Sequence, residues 1–273
     1  MTPATESLVV TDLRVEFDGL VAVGGVSFDA HPGEVRFLIG PNGAGKTTCI
    51  DAITGLSKGS GSVTLAGQEL LGTPVNKIVR LGVGRTFQTA SVFEQLTVLQ
   101  NLDIAAGLHR SPFSLLRARR GVDPSIEQAL EETGLTKERE TPAGILSHGQ
   151  KQWLEIGMML VQQPRALLLD EPVAGMSQDE RTATGELLQR IAEKRIVLVV
   201  EHDMDFMRRY ASRVTVLHQG TLLSEGTVAQ VQADPKVQEV YLGTAGAATT
   251  TGMLVVPDAA SAGPDAAARE EGA

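Results

Sequence analysis

The chain has 273 residues, of which 42% are hydrophobic and 21% charged, the profile of a folded chain large enough for one large domain or two small ones. A net charge of −9 argues against the basic footprint of a general nucleic-acid binder and against direct adsorption to an anionic lipid surface. No apolar run approaches the roughly 20 residues of a membrane-spanning helix, and the first residues, Met1-Thr-Pro-Ala-Thr-Glu-Ser7, lack the basic start and apolar core of a signal peptide.

Residues 8–10, 13–17, 26–28 and 35–39 alternate or run apolar in a strand-like way, with Pro32-Gly33 as a turn before the last. A glycine-rich segment follows. Residues 47–54 then read as a helix that Gly55 is placed to cap. Residues 61–67 are another short strand. From about residue 93 to 160 the pattern becomes mostly helical, with candidate helices at 100–108, 126–133 and 151–161. Strands return at 166–170, 196–201, 214–218 and 222–225, with helices at 178–193 and 205–211 between them. This alternation predicts an α/β core whose parallel strands carry ligand loops at their C-terminal ends. From residue 244 the chain is rich in Ala, Gly and Thr and reads as a disordered tail, leaving 8–243 as the folded unit.

The glycine-rich segment Gly40-Pro41-Asn42-Gly43-Ala44-Gly45-Lys46-Thr47 fits G-x-x-x-x-G-K-[ST] between a strand and a helix. Backbone N–H groups of such a loop, with Thr48 at the helix start, wrap phosphate oxygens. Lys46 is placed for the β- and γ-phosphates, and the Thr47 hydroxyl for Mg²⁺. The ligand expected is therefore ATP with Mg²⁺. Phosphoryl transfer also needs a metal-positioning acid and a base for water. The buried strand Ala166-Leu-Leu-Leu-Asp170-Glu171 ends in that pair, Asp170 for the metal and Glu171 as general base. Cys49 lies just inside the loop helix. It reads either as a thiol activated by the helix N-terminus or as a small buried packing residue, the second being the commoner case.

Four further segments resemble the motifs of ABC ATPases, in order: Thr86-Phe87-Gln88 (Q-loop), Leu146-Ser147-His148-Gly149-Gln150 (signature), Val173-Ala-Gly175-Met176 (D-loop) and Val200-Glu201-His202-Asp203 (switch histidine). The resemblance spans nearly all of 8–243. It implies an α/β fold, a P-loop NTPase core with an antiparallel β subdomain and a helical subdomain insert at about 93–160. It also implies ATP hydrolysis between two subunits packed head to tail. Ser147 would cap a helix, with Gly149 and Gln150 beside it, to make an anion site for the γ-phosphate held by the opposite subunit. Gln88 would touch Mg²⁺ or the attacking water, and His202 the γ-phosphate while holding Glu171 in line. Phe17 falls where the family stacks an aromatic ring on adenine, although a core strand position fits it equally.

His148 departs from the signature, where the family has glycine. The string Leu146-Ser-His-Gly-Gln-Lys-Gln-Trp-Leu-Glu-Ile-Gly-Met158, with Glu171-Pro-Val-Ala-Gly-Met176 and Glu239-Val-Tyr-Leu-Gly243, resembles the urea-type branch of the branched-chain amino-acid uptake ATPases. That branch implies two permease subunits, a solute-binding protein acting indirectly, and a second, related ATPase. This chain would then be half of a heterodimer, with a homodimer left open. Such a subunit sits peripherally on the cytoplasmic face of the membrane and reaches it through the permeases. The expected cargo is urea or a short amide, with branched-chain amino acids or a lipopolysaccharide-export role as alternatives. A non-transport ABC protein would carry tandem cassettes or a long coiled coil, and this chain has neither. Arg110, Arg117, Arg119 and Arg120 in the insert read as a solvated face, and Trp153 as packing inside the insert.

Overall fold

The computed structural model describes residues 6–86, 91–107 and 122–245. Gln88, the four insert arginines and residues 246–273 lie outside them.

Strands β1 (Leu8–Phe17), β2 (Leu20–Ala30), β4 (Ser60–Leu65) and β5 (Gln68–Glu69) make an antiparallel sheet in the order β2-β1-β4-β5. The sequence predicts two short runs at 8–10 and 13–17; the structure joins them into β1. The register against β2 shifts between Val10 and Leu13, with Asp12 at φ 48°. Such a bulge re-aims the following side chains, and Leu13 and Val15 are buried.

The second sheet holds β3 (Val35–Ile39), β6 (Val83–Arg85), β7 (Ala166–Asp170), β8 (Ile196–Val200), β9 (Arg213–His218) and β10 (Thr221–Gly226). Its order is β10-β9-β3-β8-β7-β6, parallel except for the antiparallel β9–β10 hairpin at the edge. Strands β3, β7 and β8 are buried on both faces, which explains why they read as continuous apolar runs. Alternation still divides their side chains. Val35, Phe37, Ile39, Leu167, Leu169, Val197 and Val199 join one core cluster. Leu38, Leu168, Leu198 and Val200 join the other, beneath the antiparallel sheet.

The helices are α1 (Lys46–Ile53), α2 (Val75–Arg80), α3 (Val98–Ala106), α4 (Pro124–Thr133), α5 (His148–Leu160), α6 (Gln178–Ala192), α7 (Met204–Tyr210), α8 (Val228–Ala233) and α9 (Pro235–Ala245). Helices α3, α4 and α5 pack on one another and share the first core cluster with the parallel sheet. Helix α9 runs two residues past the expected start of the tail. Helices α2, α8 and α9 are short or weakly patterned, and periodicity alone did not reveal them. Trp153 on α5 packs against the first cluster, and its indole N–H donates to Thr184 Oγ1 on α6 (2.8 Å). It packs on the cluster that the insert and the core share, and the hydrogen bond also ties the insert to the core helix, since a part-buried indole N–H gains from a partner.

Candidate functional site

Strand β3 delivers the chain to the 40–48 loop. Gly40, Gly43 and Gly45 have φ of 153°, 79° and 94°. Gly45 occupies the N-cap of α1 in the left-handed region, and a Cβ there would lie 2.6 Å from the Ala22 carbonyl of β2. Only glycine closes the loop against that strand. The Gly220 N–H donates to the Ala44 carbonyl (3.1 Å), and the Gly24 N–H to Gly220 O (2.7 Å), so both sheets brace the loop. Lys46 folds back over it, donating from Nζ to Gly40 O (2.8 Å) and Pro41 O (3.0 Å). Burial holds the Lys46 ammonium below its ordinary pKa, opposed by the carboxylates of Glu171 and Asp170. Asn42 and Thr47 are exposed at the loop, and Thr48 is half-buried. Cys49 is fully buried and its thiol is pushed up to about 12 by that burial. It is the packing residue rather than the activated one.

At the end of β7, the Asp170 N–H donates to Thr86 Oγ1 (3.2 Å), which anchors the start of the Q-loop segment. Asp170 Oδ2 lies 3.7 Å from Arg85 Nη2, while Oδ1 is buried with no hydrogen-bond partner. Burial pushes the carboxyl above its ordinary range, with Arg85 opposing. Arg85 also donates to Asp51 Oδ1 on α1 (2.5 Å). Glu171 turns the chain off the strand with φ 51°, an uncommon left-handed conformation for a long side chain. Its N–H is held by Val200 O (2.9 Å). His202 Nδ1 lies 3.3 Å from Glu171 Oε1. Beneath them, the fully buried Glu201 carboxylate accepts from the N–H groups of Val173 (3.2 Å), His202 (3.1 Å) and Asp203 (3.4 Å). That network sets the path of the chain on both sides of the site.

Gly40, Pro41, Asn42, Glu171, His202, Met204 and Tyr241 line one cavity of about 570 Å³. Met204 and Tyr241 carry no sequence signal that marks them for it; α7 and α9 bring them there through tertiary packing. Phe17 is half exposed at the end of β1, paired with Leu20 across the hairpin. Its ring is therefore outside the core, and β2 continues to the Ala22 carbonyl that abuts the loop. The orphaned Asp170 oxygen and the open Thr47 hydroxyl fit a Mg²⁺ ion, which takes one or two carboxylates and completes its shell with phosphates and water. Among the described residues there is no group of three or more His, Cys, Asp or Glu suited to a metal.

The signature residues sit apart from this cavity. Ser147 caps α5 in a capping box with Gln150: Ser147 Oγ accepts from Gln150 N (3.2 Å), and Gln150 Oε1 from Ser147 N (3.0 Å). His148 turns away from the cap and places Nε2 3.0 Å from Ala174 O in the D-loop segment. The side chain that stands where the family has glycine is thus accommodated against the backbone of the D-loop segment.

The ABC transporter family model matches residues 23–174, and the branched-chain amino acid ATP-binding cassette transporter model matches 221–247. The high-affinity branched-chain amino acid transport ATP-binding protein BraF of Pseudomonas aeruginosa is 37% identical over 251 residues, covering 87% of this chain and 98% of BraF. LivG of Escherichia coli K12, of the same description, is 39% identical over 253 residues with the same coverage. The crystal structure of the ADP conformation of MJ1267, an ATP-binding cassette of an ABC transporter, superposes with a TM-score of 0.75 at 30% identity, over 87% of this chain and 99% of that one. BraF and LivG are named for branched-chain amino-acid transport and give the urea-type expectation no support. The chain belongs to the ATP-binding cassette family, as an ATP-hydrolysing subunit of its branched-chain amino-acid transporter branch.

Proposed function

We propose that this chain powers the import of branched-chain amino acids, with Mg²⁺-bound ATP held in the 40–48 loop and its hydrolysis run by Asp170, Glu171 and His202. The observation that carries the site is that Glu171 and His202 line one cavity with Gly40, Pro41 and Asn42 of the loop, while the Lys46 ammonium and the Asp170 carboxyl, with its buried unsatisfied oxygen, lie within electrostatic reach of Glu171. Lys46 exchanges its two loop carbonyls for phosphate oxygens. Thr47, Asp170 and Gln88 would hold the metal, which would supply neutralising charge to the phosphates. Glu171 accepts the proton of the attacking water at its carboxylate, and His202 fixes that carboxylate through Nδ1. Phe17 offers its open ring to adenine.

Ser147, Gly149 and Gln150 make no hydrogen bond to the chain's own loop. They serve the nucleotide of a second ATPase subunit, which makes the working unit a dimer, heteromeric in the reading favoured here. Two permeases bind the dimer at the cytoplasmic face of the membrane, and a solute-binding protein delivers the cargo. No helix among the described residues is long and apolar enough to cross a membrane; in this reading contact with the membrane runs through the permeases. Deletion of the gene should abolish leucine, isoleucine and valine uptake; retained uptake of all three with loss of urea uptake would move the assignment to the urea-type alternative that the His148 signature string suggests.

A further inference from the structure

Glu180, at the third position of α6, is absent from the roles assigned above. Its carboxylate nonetheless lies on the signature segment. Glu180 Oε1 accepts from Ser147 Oγ (2.7 Å) and from the Gly149 N–H (3.2 Å). A Cβ on Gly149 would meet the same oxygen at 2.6 Å. The second oxygen, Oε2, accepts from the N–H (3.0 Å) and hydroxyl (2.9 Å) of Ser177, which caps α6. These four hydrogen bonds pull the carboxyl pKa from 4.5 down to about 2, the Ser147 hydroxyl most of all, so the anion is permanent at neutral pH. The donors that would grip a phosphoryl oxygen of the partner's nucleotide are thus already satisfied, by an anion of this chain.

We propose that Glu180 is a resident stand-in for phosphate on the signature site, and that ATP from the opposite subunit must displace its carboxylate before the dimer closes. Three contacts hold the latch in register: Ser177 on Oε2, His148 on the Ala174 carbonyl, and Trp153 on Thr184. Displacement is feasible because Glu180 is only half-buried and swings on a flexible side chain. It exchanges a charge-assisted pair of bonds for another of the same kind, so the resident anion raises the ATP concentration needed for closure without abolishing it. The inference rests on the dimer reading proposed above.

The test uses the assembled transporter and two measurements. Glu180→Gln retains a capping residue at the third position of α6, removes the charge and turns one accepting oxygen into a donating amide. It should lower the KM for ATP of the assembled transporter by about threefold or more, since an exposed ionic contact is worth up to about a factor of five. ATP binding by the isolated subunit, which does not use the signature site, should be unchanged and certifies the fold. A KM that stays the same or rises overturns the proposal and leaves Glu180 a helix-capping residue. Should Glu180→Gln lose nucleotide binding, Glu180→Ala decides by the same criterion. A wild-type assembly without ATPase activity would sink the transporter reading instead, and is recognised before either variant is made.

Discussion

Glu171 and Lys46 show how single side chains depend on their backbone. Glu171 holds φ 51° because Val200 O fixes its N–H and Glu201 organises the segments on either side, so Glu171→Gln should leave the fold and ATP binding intact. Its turnover should fall about 10²- to 10⁴-fold, the range of a lost general base, in a steady-state ATPase assay; near-wild-type turnover would remove Glu171 from the role of base. Lys46→Ala should instead weaken ATP binding itself, visible by titration calorimetry. Cys49 makes a negative prediction. A fully buried thiol titrating near 12 carries almost no thiolate at pH 8, so a disulfide reagent should label it only after denaturation. Glu180 has a pH signature. Its folded pKa of about 2 lies below the ordinary 4.5, so its bonds contribute stability above pH 4.5 that is lost as pH falls toward 2. Solvent exposure keeps the effect small. The stability gap between wild type and Glu180→Gln should therefore narrow between pH 6 and pH 3 in denaturant titrations.

At the scale of elements, one buried cation joins the two sheets. Arg36 on β3 is fully buried and donates to Thr215 Oγ1 on β9 (2.9 Å) and Glu225 Oε1 on β10 (2.5 Å). Its Nε reaches Glu34 (3.4 Å), its Nη2 lies 3.9 Å from Asp29 on β2, and its guanidinium stands over the Phe28 ring (5.9 Å). A continuous apolar strand with one arginine in it looks like a sequence error until the second sheet is placed above it. Removing the arginine leaves Glu34 and Glu225, whose side chains are only 15% and 21% exposed, without their buried cation, so Arg36→Ala should cost about 3–5 kcal/mol in chemical denaturation. A loss under 1 kcal/mol would mean that water reaches the acids. Several helix starts carry a purely local signal. Ser147, Ser177, Thr97 and Thr227 each open a helix with a capping box, a pattern of adjacent residues that needs no tertiary information.

On the scale of the whole molecule, the loop and the signature segment of one chain face different tasks: the first shares a cavity with Glu171 and His202, and the Ser147 and His148 side chains of the second bond within the segment and to residues 174–180. ATPase activity of this chain mixed in equal amounts with its partner ATPase subunit should therefore rise faster than linearly with protein concentration. Strictly proportional activity in a dilute preparation would count against a composite site. Composition, strand runs and the order of the motifs were enough to place the α/β core, the loop and the acid pair, because each is written in neighbouring residues: glycines where φ must be positive, apolar runs where a strand is covered on both faces, two acids where that strand ends. Tertiary structure alone decided the rest. Tyr241 and Met204 reach the cavity from helices 30 or more residues beyond Glu171, Trp153 spans to a core helix, and Glu180 lands on the signature segment from 33 residues away. No local pattern encodes such contacts, since they depend on how separate helices pack over the sheet rather than on the period of any one of them.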